Sequence, residues 1–250
     1  MNFIKAPKIT LITGSAPDAV HSKEWDKQFF DNIVVINNAW QLRDDWDYLV
    51  HPEDFPLENR PKNIRKNQRI ITADEYVPVQ NSFGGFVYAG GTMSLTTAYW
   101  VLGTLKPNII AFSGCDMVYP SDGKATHFYG FGKPDPLRND VTLNSLEAKS
   151  SRFFYTALKA NCLCLNLSNN LESRLTFPRV QIDELQIMTY KLFEEKFALL
   201  KANVNEDSIN AVLQRERDLG YYIESGRYWE HLDDICPIKL KDIDRFWLAI

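Results

Sequence analysis

His127 lies in a polar loop with Asp122, Lys124, Thr126, Tyr129 and two glycines. Histidine titrates near neutral pH, so an imidazole in a loop can take a proton from a hydroxyl while a bond to a leaving group breaks. Stacking on Phe128 or Tyr129 is the competing use of the ring. Tyr119, Lys124, Tyr129 and Arg138 are candidate donors to charge developing on a departing phosphate. Upstream, Gly90, Gly91, Thr92 and Ser94 open a helical stretch. A glycine turn at a helix start leaves backbone N–H groups free, and an anion is held there at little cost. The next apolar run, Asn108 to Phe112, stops at Ser113-Gly114-Cys115-Asp116. In open α/β sheets the carboxyl ends of strands are where ligands bind, so this block is expected to form a nucleotide-type site.

Other candidates sit at corresponding places. Gly14 and Ser15 follow the first β-branched run, Asn37 and Asn38 close the second, and Ser168 follows the last. An asparagine amide both donates and accepts, which suits reading a base or ribose, and it equally suits an Asx-turn. Asp116 reads either as a carboxylate bonding the loop behind it or as a metal ligand. Without an Asp-x-Asp pair the structural role is favoured, and no metal is assigned. Neither a Gly-x-Gly-x-x-Gly fingerprint nor a P-loop occurs in the chain, which demotes nicotinamide enzymes and P-loop kinases. The remaining histidines, His21, His51 and His231, make no ligand spacing with His127.

The elements that must position these residues alternate. Strands are expected at Lys8 to Thr13, Ile33 to Ile36, Trp46 to Val50, Arg69 to Ala73, Ile109 to Phe112 and Cys162 to Leu167. Helices are expected over Val20 to Phe30, Met93 to Leu105 and Leu143 to Lys159, then Leu185 to Leu200 and Ile209 to Leu219. This gives an α/β, Rossmann-like, mostly parallel sheet flanked by helices over residues 1–180. Residues 181–250 form a helical C-terminal extension packed on it. Its aromatic segment around Tyr221 and Trp229 reads either as a cap or as a wall of an acceptor pocket. The segment Glu53 to Gln68, with Arg60, Lys62, Arg65 and Lys66, reads as a solvated loop.

With 250 residues and 45% hydrophobic content the chain can bury a substantial core. A net charge of -4 without a basic run argues against nucleic acid as a partner. The four cysteines show no Cys-x-x-Cys spacing and read as buried reduced thiols. The N-terminal residues fit neither a signal peptide nor a membrane span, so a cytoplasmic protein is expected, with room for a homo-oligomer.

Taken in order, GSAP, VVINNAW, GGTMSLTTAYW and IIAFSGCDMVY, followed by the LS…ES…FPRV segment from Leu167 to Val180, resemble bacterial family 42 sialyltransferases. Their relatives, the flagellin-modification family with its pterin diphosphokinase branch, are similar too. The resemblance spans about residues 8–180 and implies a GT-A-like variant of the Rossmann-like fold. It implies a nucleotide sugar donor, CMP-linked, used without an essential metal, and an inverting transfer to a glycan acceptor with a histidine as base. Carried over, Gly14 and Ser15 face phosphate or ribose, Asn37 contacts the nucleotide, Thr92 and Ser94 hold donor groups, and Gly114 gives the nucleotide room at the strand end. His127 takes the base role by elimination. By their places along the chain Gly91, Asp116, Tyr119, Tyr129 and Ser168 are added as candidate binding residues. The family's tyrosine position is occupied here by Val118, with Tyr119 beside it. Two alternatives stand: diphosphoryl transfer from ATP with Mg²⁺ on Asp116 or Asp122, and a nucleotide-binding module without catalysis.

Overall fold

The computed structural model describes residues 6–119, 123–131 and 140–250; Asp122 and Arg138 lie outside the described residues. Six short β-branched or apolar runs form one parallel sheet: β1 Ile9–Thr13, β2 Asn32–Ile36, β3 Tyr48–Val50, β4 Arg69–Ile71, β5 Ile109–Ser113 and β6 Leu163–Asn166. Their order is β4-β3-β2-β1-β5-β6. The chain therefore builds outward from β1 to one edge and then restarts on its other side with β5, so the order reverses between β1 and β5. At that point the two carboxyl ends are level, with Thr13 opposite Ser113.

Each strand feeds both faces of the sheet, as buried parallel strands do. Ile12, Val34, Ile36, Ile110, Phe112 and Cys164 point into one core. Leu11, Ile33, Val35, Ile109, Ala111 and Leu165 point into the other.

The first core is covered by α1 Ala73–Ser82, α2 Phe86–Ala89, α3 Met93–Trp100 and α4 Leu146–Lys159. After Trp100 the helix continues as one π-turn through Leu105. Ala73, expected to end a strand, instead begins α1, because Thr72 and Glu75 form a reciprocal capping box. The helix expected over Val20 to Phe30 is two 3₁₀ turns, Pro17–Glu24 and Lys27–Phe29. Extended Trp25 separates them, and Asp26 restarts the chain by accepting from the Gln28 N–H.

The C-terminal extension divides between the faces. α5 Ile182–Gln186 and α6 Tyr190–Ala202 place Leu185 and Phe193 in the second core. α7 Glu206–Leu219 and α8 Pro237–Leu248 place Ile209, Val212, Leu240, Ile243 and Trp247 in the first. Two buried ion pairs join α4 to this part. Arg152 donates from Nε to Glu216 Oε1 at 2.9 Å and from a terminal nitrogen to Oε2 at 2.8 Å. Lys149 donates to Asp244 Oδ1 at 2.7 Å. Trp247 Nε1 donates to Glu216 at 2.8 Å and Arg152 also donates to the Tyr99 hydroxyl at 2.6 Å, so every charge in the cluster is compensated. The extension thus shares its cores with the sheet domain. No helix among the described residues is long and apolar enough to cross a membrane.

Candidate functional site

At the order reversal, β1 ends in Gly14 and β5 ends in Gly114, and the two backbones nearly touch. A Cβ on Gly14 would fall 2.3 Å from the Gly114 carbonyl oxygen. Gly114 has φ +64°, and a Cβ there would fall 2.4 Å from Ala19 Cβ. The Gly14 N–H donates to Ser113 O at 2.8 Å and the Ala16 N–H to Gly114 O at 3.0 Å, which locks the two strand ends together.

Above them lies a cleft of about 460 Å³. Gly14, Ser15 and Gly114 form its floor, and Asn37 and Asn38 its flank. Thr92, Met93 and Ser94 supply the start of α3, and Tyr119, His127 and Tyr129 the overlying loop. Residues from five separate stretches of chain therefore meet in one place. The site falls at the carboxyl edge of the sheet where the strand order turns, the position at which open α/β sheets hold ligands.

Asn37 has φ +51°, a left-handed conformation that asparagine tolerates better than most residues. No donor among the described residues reaches the buried Oδ1 of Asn37 or of Asn38. Buried amide oxygens are normally bonded, so the two side chains stand at the cleft flank with hydrogen-bonding capacity unused. At α3, Thr92 is the cap: its hydroxyl accepts from the Leu95 N–H at 3.3 Å and its carbonyl from the Thr96 N–H at 2.9 Å. A helix start leaves its first N–H groups without intrahelical partners, which puts those of Met93 and Ser94 at the cleft.

His127 is half-buried and sits at the base of a tight turn in which His127 and Gly130 exchange backbone hydrogen bonds at 3.0 Å. The Phe128 N–H donates to Ser15 O at 3.0 Å, which ties this loop down onto the end of β1. The imidazole stacks on Tyr129 with centroids 4.9 Å apart, and Tyr119 is 6.1 Å away. Its Nδ1 lies 2.8 Å from Thr126 Oγ1. Burial holds its pKa below the usual histidine value, so the ring is neutral at neutral pH. In the tautomer that carries its proton on Nδ1, the ring donates to Thr126 and the Nε2 lone pair is left to accept a proton.

Three of the expected ligands fall elsewhere. Gly91 lines a neighbouring cavity. Asp116 is 1% and Ser168 2% exposed, and both lie beneath the floor. Ser168 Oγ donates to Asp18 Oδ2 at 2.8 Å and accepts the Asn170 N–H at 3.0 Å. Among the described residues no well-formed hydrogen bond reaches either carboxylate oxygen of Asp116, although the hydroxyls of Ser173 and Ser168 stand near it. Burial, with the Asp18 carboxylate beside it, raises the Asp116 pKa. Ser168 therefore serves the architecture of the floor, whereas the Asp116 carboxylate does not make the bond to the loop behind it that its structural reading expects. Arg179, close by, donates to the Ser168 carbonyl. Cys115 also lines the cleft, but burial pushes its thiol up to about 12, which makes it a poor nucleophile. Cys162 and Cys164 are buried free thiols and Cys236 is partly exposed. Among the described residues no group of three or more His, Cys, Asp or Glu side chains could hold a metal ion.

The far wall of the cleft was not read from sequence. It consists of Pro52 and of Asp54, Phe55, Pro56 and Asn59, the last four within the segment that reads in sequence as a solvated loop. The available signal was position: this segment leaves the carboxyl end of β3, on the same sheet edge as the other ligands.

Comparisons with protein-family models, with curated proteins and with solved structures each gave no match.

Proposed function

We propose that the protein is a glycosyltransferase of sialyltransferase-like type, which moves a sugar from a CMP-linked donor to a glycan hydroxyl without a metal cofactor. The observation that carries this reading is one cleft containing two amide oxygens without donors, the start of α3 and an imidazole kept neutral by burial. The amides suit the nucleoside, the helix start suits its phosphate, and the imidazole suits proton removal.

In the proposed reaction the acceptor oxygen attacks the anomeric carbon as its bond to the phosphate oxygen breaks, and CMP leaves with that electron pair. His127 Nε2 takes the acceptor's hydroxyl proton. The N–H groups of Met93 and Ser94, with the hydroxyls of Tyr119 and Tyr129, stabilise the phosphate as its charge grows. One-step displacement inverts the anomeric centre.

Incubation of the full chain with a CMP-sugar and a panel of neutral glycosides tests the proposal, with CMP and glycosylated product quantified by mass spectrometry. Formation of both in equal amounts is expected. Failure to form either, together with Mg²⁺-dependent transfer of diphosphate from ATP, would replace this reading with the diphosphokinase one. Binding of CMP without any turnover would leave a non-catalytic nucleotide-binding module.

A further inference from the structure

A second cavity of about 350 Å³ adjoins the cleft, and the two share Pro52, Asp54 and Met93 as lining residues. Its outer wall is supplied by the C-terminal extension, chiefly Arg227, Tyr228 and Trp229. That wall is firmly held. Tyr228 is buried, stacks on Phe86 at 6.2 Å and donates its hydroxyl to Asp140 Oδ2 at 2.7 Å. Asn81 donates to the Glu224 carbonyl at 2.7 Å. Gly226 has φ +74°, and a Cβ there would lie 3.0 Å from Val77 Cγ2 and 3.1 Å from Phe86 Cε2, so glycine lets the strap lie against α1 and α2.

On this rigid base Trp229 stands 54% exposed, with its ring edge-on to Tyr228 at 5.5 Å. Around it are the carboxylates of Glu53 and Asp54, while Arg227 is shared between Glu53 at 4.0 Å and Glu230 at 3.7 Å. The positive charge is thus offset by its acidic neighbours, and the carboxylates disfavour an anion. A neutral polyhydroxylated ring fits this chemistry: its C–H face lies on an indole and its hydroxyls donate to carboxylates. The cavity is at the low end of the ~300–1,000 Å³ over which small ligands are held, enough for a terminal sugar but not an extended chain.

We propose that this cavity is the acceptor subsite, which seats the terminal sugar of a neutral glycan on Trp229 and delivers its hydroxyl past Asp54 into the cleft. The inference rests on the glycosyl-transfer reading, and it gives the extension a role in choosing the acceptor.

Saturation-transfer NMR on the full chain tests it, with methyl β-galactoside, methyl β-glucoside and methyl α-mannoside as probes and CMP titrated separately. At least one glycoside is expected to bind and to remain bound when CMP saturates the cleft. Trp229→Ala should cut that signal at least about fivefold, and Trp229→Phe should restore most of it. Both variants should keep the wild-type CMP affinity and Tm, which reports that they fold. Glycoside displaced by CMP, binding unchanged in Trp229→Ala, or no glycoside binding while CMP binds would each overturn the subsite and leave the donor reading intact. Trp229-dependent glycoside binding without CMP binding would do the reverse.

Discussion

Gly14 and Gly114 meet across the β1–β5 boundary so closely that neither tolerates a side chain: a Cβ on the first would lie 2.3 Å from the carbonyl oxygen of the second. The contact joins the two strand ends that form the floor of the cleft. Gly14→Ala should therefore force the two strand ends apart, at a cost of about 1–3 kcal/mol from overpacking. Chemical denaturation should show that loss, and ligand binding should fall with it. Stability equal to wild type would mean that the strand ends are not packed as described.

The proton-accepting role of His127 makes two linked expectations. His127→Ala should lower turnover by ~10²–10⁴-fold, the usual contribution of a positioned base, while CMP binds nearly as before. Because burial lowers its pKa, the acid limb of the kcat/KM profile should have its midpoint below 6.5. Activity rises with pH through that midpoint as the imidazole loses its proton. An acid limb that persists in His127→Ala would assign the titration to another group.

Strand positions and most of the cleft were legible in the sequence. The β-branched runs end in Gly14, Asn37 and Gly114, residues that stop a strand because they turn or cap it, and in a parallel sheet all those ends share one edge. Asp116 and Ser168 also lie beyond strand ends, yet they belong beneath the floor. Their fate is decided by Asp18, 150 residues from Ser168, a contact no local pattern encodes. Asp54 was hidden for a related reason: its segment is polar and proline-containing, and only the packing of the 225–229 strap and α3 around it makes it part of a cavity. The extension's helices α6 and α7 were visible from their periodicity, but not that they serve opposite faces of the sheet.

Asp116 carries a stability consequence. Its folded-state pKa is raised by burial, so the native chain holds this proton more tightly than the unfolded chain does. Between the unfolded carboxyl value, ~3.9, and the raised native value, the unfolded state binds fewer protons, and stability falls as pH rises through that window. Asp116→Asn removes the penalty. It should stabilise the protein at pH 7 by about 1 kcal/mol, roughly 2–4 °C in Tm, with the gain vanishing near pH ~3. A loss at pH 7 would instead mark the carboxylate as a needed anion.

Glu216 holds Arg152 and Trp247 at once, with both charged groups buried. Glu216→Gln should leave the guanidinium uncompensated and cost ~3–5 kcal/mol, seen as a lower urea midpoint and unfolding of the extension together with the sheet domain. Separate transitions for the two parts would contradict the shared core.

Titration calorimetry of CMP against the wild type and Asn37→Ala, with and without Mg²⁺, bears most directly on the nucleotide cleft. CMP is expected to bind equally well without the metal, and losing the Asn37 amide is expected to weaken it about tenfold, or ~1.4 kcal/mol. Failure of CMP to bind, with tight ATP binding that appears only when Mg²⁺ is added, would contradict this expectation.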